Sequence, residues 1–216
     1  MPEIVVLRPE APPAARLPAA PSTHARPTAT PVPLRVAAVF GSPSAHSRSA
    51  ALLRGALPFL ARLPLQVSEI DIRSLPAQAL LQARADEPAV AQALADVAAA
   101  DLLLVTTPIY KAAYSGVLKL FLDLLPPDAL RGKRVLPLAT GGSVAHLLAV
   151  DYALRPVLAA LGAREILDTV FATDAQFDAD DSGAWQPHAA VRERLERALA
   201  SGSGLIDRLG AATAAC

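Results

Sequence analysis

Three short stretches of this 216-residue chain concentrate side chains that can bind or react. The first, FGSPSAHSRSAALL from Phe40, carries the hydroxyls of Ser42, Ser44, Ser47 and Ser49 and the guanidinium of Arg48 where a helix should begin. Free amides at a helix N-terminus, the helix dipole and hydroxyl donors together suit a phosphate dianion. The same residues would also make a plain N-capped turn, with Ser47 or Ser49 as the cap. The stretch lacks GxxxxGK[ST] and the later glycines of GxGxxG, which leaves a terminal phosphomonoester as the anion it fits.

The second stretch, TPIYKAAYSG at 107–116, is expected to follow a strand that Pro108 ends. Ile109 and Tyr110 would then present flat, apolar faces to a planar ring, Lys111 a cation, and Ser115 a hydroxyl at the next helix start. A loop whose tyrosines only pack would have the same composition. The third stretch, ATGGSVAHLL, offers Thr140, Gly141, Gly142 and Ser143, where the backbone can approach a ligand closely. Glycines after a strand are also ordinary turn punctuation. His24, His46, His146 and His188 show no metal-ligand spacing; His46 reads as a solvated loop residue and His146 as packing. Asp178, Asp180 and Asp181 read as a solvated acidic loop, so no metal is expected.

The elements that must position these stretches alternate. LRVAAVF (34–40) is a continuous apolar run, as a strand buried on both faces requires. A helix over 47–60, a strand over 65–70, a helix over 88–100 and a strand over 101–106 follow. Next come a helix to about 125, a strand over 133–140, a helix over 143–161, a strand over 164–172 and a helix over 187–209. Such alternation predicts an α/β three-layer sandwich: a five-stranded parallel sheet with flavodoxin-like strand order 2-1-3-4-5 and ligands at the strands' carboxyl ends. Pro137 inside a central strand predicts a bulge, and Pro156 inside a helix predicts a bend.

Composition narrows the function. Lys plus Arg and Asp plus Glu are each 20, so a nucleic acid or an anionic membrane is not the expected partner. The single cysteine is Cys216, which excludes an intrachain disulfide. No apolar run reaches the ~18 residues of a membrane span, and a cytoplasmic setting is expected. Residues 1–33 carry nine prolines from Pro2 to Pro33 and read as a disordered arm. Residues 34–210 read as one domain and 211–216 as a short tail.

The segments GSPSAHSRS, TTPIYKAAYSGVLKLFLDLLP and LRGKRVLPLATGGSVAHLLAVDYALRPVLAALGA resemble the NADPH-dependent FMN reductases of two-component alkanesulfonate monooxygenase systems. The similarity runs from about Leu34 to Phe171, more weakly to residue 209, and leaves the arm uncovered. It implies FMN and NADPH (or NADH) as cofactors, a flavin-dependent monooxygenase as partner, and a place in sulfur assimilation. It also implies that Ser42, Ser47, Arg48 and Ser49 form the phosphate loop. Pro108, Ile109, Tyr110 and Lys111 would lie beside the isoalloxazine, with Thr140, Gly141, Gly142 and Ser143 on its other flank, and Ser115 is expected as a further cofactor-binding residue. Ser44-Ala45-His46 departs from relatives that carry a basic residue there, which shifts weight onto Arg48. Hydride transfer from nicotinamide to flavin needs no acid–base dyad, and no catalytic side chain is assigned. A reductase of quinones, azo dyes or metal oxyanions with tightly held FMN is an alternative. A non-enzymatic flavodoxin-like electron carrier is another, although such carriers are typically acidic and this chain is neutral.

The resemblance further implies that Tyr114 sits on a π-type bulge at a subunit interface and serves flavin exchange. VLKLFLDLL (117–125) is apolar except at Lys119 and Asp123, an arc wider than an ordinary surface helix shows. Leu118 and Leu122 are therefore expected to meet another subunit in a dimer or tetramer.

Overall fold

The computed structural model describes residues 33–201. The arm lies outside the described residues except for its last residue, and the tail and the final turns expected of the last helix lie outside them too. Strands β1 (Leu34–Phe40), β2 (Leu65–Asp71), β3 (Leu102–Tyr110) and β5 (Arg134–Gly141) are parallel in the order β2-β1-β3-β5. The fifth expected strand forms beside β5 as two pieces, β6 (Glu165–Ile166) and β7 (Val170–Thr173). This is the flavodoxin-like order read from the sequence.

Period-two alternation sorts the strand residues onto two cores. Val36, Ala38, Leu102, Leu104, Leu136 and Leu138 pack under α1 (Arg48–Leu60) and α6 (Ala189–Ser201). Ala37, Val39, Leu103, Val105, Val135 and Ala139 pack on the opposite face. That face is covered by α3 (Pro88–Ala99), α4 (Gly116–Leu122) and α5 (Arg155–Ala160), with the short α2 (Ala77–Leu81) at one side. Helix starts follow their caps: Ser47 accepts from the Ala50 amide, and Glu87 accepts from the Ala89 and Val90 amides ahead of Pro88.

Both prolines that resisted the pattern have a structural answer. The Val135 carbonyl accepts from the Leu167 amide at 2.8 Å. By alternation, Pro137 therefore turns its donorless side toward the fifth strand. There the pairing lapses: Leu136 and Pro137 on β5 stand against Leu167, Asp168 and Thr169 between the paired residues Val135–Ile166 and Leu138–Val170. The expected bulge thus lies in the neighbouring strand, where no amide from residue 137 is needed. The Arg155 guanidinium donates to the carbonyls of Ile166 and Leu167 at 3.2 Å each, binding the bulge from the side.

The long helix expected over 143–161 is instead a 3₁₀ turn (Val144–Leu147), a π turn (Val150–Leu154) and α5. The Arg155 amide reaches back to the Val150 carbonyl, and Pro156 follows with no amide to continue an α ladder. The expected bend is this reset from π to α. The π-type distortion implied for Tyr114 does not form there: Tyr114 lies in a two-residue strand, β4 (Ala113–Tyr114), packed against the π turn of Val150–Leu154.

Leu118 and Leu122 correct a second expectation. Both lie inside the chain's own core, 0% and 1% exposed, with Phe121 between them. Leu118, Phe121 and Leu122 of the wide apolar arc are buried against the chain's own core, while Val117 and Leu120 border an open apolar cavity with Ile72–Leu81. Leu122→Ala is expected to lower stability by about 2–5 kcal/mol, the range for emptying a filled core site. Urea denaturation measures this, and sedimentation of the folded variant should show the wild-type mass.

Candidate functional site

Among the described residues the buried polar side chains are Ser42, Ser47, Ser49, Thr106, Thr107, Ser115 and Thr140. Every one lies at or just beyond the carboxyl end of β1, β3 or β5. A sheet buried on both faces can place polar groups only where its strands end, so the site's location follows from the fold.

These side chains form a linked frame. The Thr106 hydroxyl donates to the Ser49 carbonyl at 2.9 Å, and the Ser47 and Ser49 hydroxyls lie 2.6 Å apart. The Ser115 amide donates to the Thr107 hydroxyl at 2.9 Å, while the Ser115 hydroxyl donates to the Gly41 carbonyl and accepts from the Leu118 amide. Ser42 accepts from the Ser44 amide at 3.1 Å and shapes the loop after β1.

β3 does not stop at Pro108. It continues to Tyr110 and folds back into β4, pairing Ile109 with Tyr114 and Tyr110 with Ala113. The two loop residues, Lys111 and Ala112, have φ of 50° and 60°. That is the type I′ hairpin turn, made here without the usual Asn-Gly, at a cost on the order of 1 kcal/mol per residue. Pro108 loses nothing, because its donorless side points past the end of β1, whose pairing with β3 closes at Phe40–Thr106. The hairpin carries Tyr110 out to half exposure.

An open cavity of about 290 Å³ lies between these loops. Ser44, His46, Ser47, Arg48 and Asp174 form one end; Pro108, Ile109 and Tyr110 form one flank, and Thr140, Gly141 and Gly142 the other. Arg48 is its one arginine or lysine among the described residues. The guanidinium stacks on Trp185 at 3.7 Å from the ring centre and lies 3.8 Å from an Asp174 oxygen. Its Nε is buried without a hydrogen-bond partner. On the far flank, a methyl on Gly141 would come within 2.8 Å of His146 Nδ1, so the imidazole packs against bare backbone. His146 is packing, as the sequence indicated, and it fills the space below the glycines. An anion at Arg48 and a flat group between Tyr110 and the glycines fit this arrangement.

The structure brings together eight of the expected site residues: Ser47, Arg48, Pro108, Ile109, Tyr110, Thr140, Gly141 and Gly142. Ser42, Ser49 and Ser115 stand behind the lining as buried scaffold. Lys111 is in the exposed hairpin turn, and Ser143 is the exposed residue ahead of the 3₁₀ turn; neither lines the cavity. Sequence reasoning missed Asp174 and Trp185. Asp174 directly follows β7, so the rule that ligands gather beyond strand ends could have found it. Trp185 could not be found that way, because it arrives on a hairpin, β8 (Phe177–Ala179) and β9 (Trp185–Pro187), that no strand pattern announced.

Comparison with known proteins gives the site a context. Residues 34–178 match the family described as NADPH-dependent FMN reductase. The FMN reductase (NADPH) of Escherichia coli K12 is 54% identical over 167 residues, 77% of this chain and 86% of that protein. That of Pseudomonas putida KT2440 is 49% identical over 165 residues, 76% of this chain and 84% of that protein. The solved apo structure of an NADH:FMN oxidoreductase superposes with a TM-score of 0.70 at 42% identity, covering 78% of this chain and 88% of that one.

The β8–β9 hairpin that carries Trp185 is closed by Asp180. Its carboxylate accepts from the Ser182 hydroxyl and amide, the Ala184 amide and the Gln186 amide nitrogen. These bonds, led by those from Ser182 and Gln186, hold its pKa down to about 2. No metal cluster is formed with Asp178 or Asp181 among the described residues. A carboxylate with a depressed folded pKa stabilises the hairpin above the ordinary value and loses that contribution as pH falls through about 2. Trp185 is the sole tryptophan. Its fluorescence should thus change as pH falls toward 2, whereas Asp180→Ala should show the altered signal already at pH 7.

Proposed function

The chain belongs to the NADPH-dependent FMN reductase family and is an oxidoreductase of FMN and NAD(P)H; from that premise we propose that it releases reduced FMN to a flavin-dependent monooxygenase of the alkanesulfonate-desulfonating kind. The observation that carries the reading is the open cavity at the strand ends, with Arg48 at one end and open space beside Tyr110 and Gly142. Arg48 and the amide end of α1 would hold the flavin phosphate. Ile109 and Tyr110 would face one edge of the ring, and the backbone of Gly141 and Gly142 the other. When bound, FMN supplies the redox chemistry by accepting hydride from the nicotinamide. The chain's part is to bind, orient and let go.

Flavin content and turnover test release. Protein purified without bound flavin, whose NADPH oxidation rises with added FMN and supports a monooxygenase in trans, is the expected result. A yellow protein with one FMN per chain that turns over only with a quinone or azo acceptor would replace this reading with that of a tightly flavinylated reductase. Arg48→Ala should weaken FMN binding by about 1.5–3 kcal/mol, the range for a hydrogen bond to a charged group. Riboflavin, which lacks the phosphate, should bind nearly unchanged; titration of each flavin measures the difference.

The homo-oligomer expected from the sequence is proposed here on a different surface. Val144, Leu148 and Tyr152 are 71%, 56% and 80% exposed on the segment between β5 and α5, whose π turn packs against β4. Exposed apolar side chains next to an open site fit a second copy of the chain, which would cover both. Tyr152→Glu should leave the fold intact and reduce the sedimenting mass at micromolar concentration. A wild-type protein that is monomeric under those conditions would remove the proposal.

A further inference from the structure

We propose that Asp174 keeps FMN exchangeable: its carboxylate competes with the flavin phosphate for Arg48 and repels the phosphate dianion, so that the flavin is held weakly enough to leave. The inference rests on the reading of Arg48 as the phosphate ligand.

Asp174 is built into the cavity wall. It opens the 3₁₀ turn Asp174–Gln176 directly after β7, and a capping box fixes that turn: the Thr173 amide donates to the Gln176 side-chain oxygen at 3.0 Å. Arg194 secures the base, donating to the Phe171 carbonyl at 2.8 Å and to the Gln176 side chain at 3.4 Å. The carboxylate so held looks both ways across the site. One oxygen is 3.8 Å from Arg48 Nη1, and the other would be 3.9 Å from a methyl group on Gly142. The cavity's phosphate end therefore contains one arginine and one carboxylate, and its net charge before ligand binding is near zero, His46 being the other titratable group there.

A carboxylate beside a phosphate-binding arginine could act in two opposite ways. It could orient the guanidinium for the phosphate, in which case its removal weakens binding. Alternatively, it could act by charge, in which case its removal strengthens binding. Trp185 decides between them. Its ring already stacks on the guanidinium at 3.7 Å, so the arginine has a positioning contact other than Asp174. What remains for the carboxylate is its charge, a few ångströms from where an anion of about −2 would sit. Asp174 is half exposed, which screens the repulsion to a factor of about ten in affinity. A prosthetic flavin would need no such opposition; one that must depart each cycle does.

The experiment titrates FMN and riboflavin separately into the wild-type protein, Asp174→Asn, Asp174→Glu and Arg48→Ala, at low and high salt. Asp174→Asn should bind FMN about tenfold more tightly, with a gain that shrinks as salt screens it, and should retain FMN through purification. Riboflavin affinity should not change, and Asp174→Glu, which keeps the charge, should behave as wild type. Equal or weaker FMN binding by Asp174→Asn overturns the inference, as does an equal gain for both flavins. If Arg48→Ala selectively loses FMN while Asp174→Asn changes nothing, the phosphate reading survives and this inference falls. If Arg48→Ala loses both flavins alike, the phosphate reading fails and takes the inference with it.

Discussion

At the end of β1 the backbone of Gly41 passes so close to β3 that a methyl group there would lie 2.5 Å from the Thr106 carbonyl oxygen and 3.0 Å from Leu118 Cβ. No side chain fits, and the whole site depends on that approach. The Gly41 amide donates to the Thr106 carbonyl at 2.9 Å, and its own carbonyl accepts from the Ser115 hydroxyl. One residue thus ties β1 to β3 and to the start of α4. From this knot the chain departs into the serine loop, which the Ser42 hydroxyl and the Thr106–Ser49 bond also hold in place. A bulkier residue at 41 would push the phosphate end and the ring flank apart together.

Some departures from regular structure lie at this edge and others within the sheet or beside it. The two left-handed residues of the Lys111–Ala112 turn, the π turn at Val150–Leu154 and the bulge opposite Pro137 each replace a regular continuation. Strain of this sort persists only where surrounding packing over-determines it. Here the surrounding packing is the doubly covered sheet, with Leu103, Leu104, Leu136 and Leu138 at 1% exposure or less. The rigid interior carries the Lys111–Ala112 turn at its carboxyl edge, and that turn places Tyr110 on the cavity wall. Electrostatics divide in the same manner: the interior of the sheet is apolar, and Arg48, Asp174 and His46 meet only at the rim, where solvent moderates their interaction.

The order of elements, the two-faced burial of the sheet and the serine, tyrosine and glycine stretches at its carboxyl ends were legible because each depends on local patterning. Apolar runs as long as LRVAAVF have one stable use in an alternating chain, and a proline or a cap acts on its immediate neighbours. What lay beyond the sequence were relations between segments far apart in it. The periodicity of α4 showed a wide apolar arc but not whether Leu118 and Leu122 faced a partner or their own core; only tertiary packing settles that. Tyr114 was legible as special and illegible as a strand residue, because β4 exists only by pairing with β3. Asp174 and Trp185 reach Arg48 from more than 120 residues away in sequence. The sequence by itself determined which strand ends carry chemistry, since that follows from where polar groups can survive beside a buried sheet. The tertiary structure alone decided which charge stands opposite which, because the Coulomb term depends on distance in space and the chain's order does not encode it.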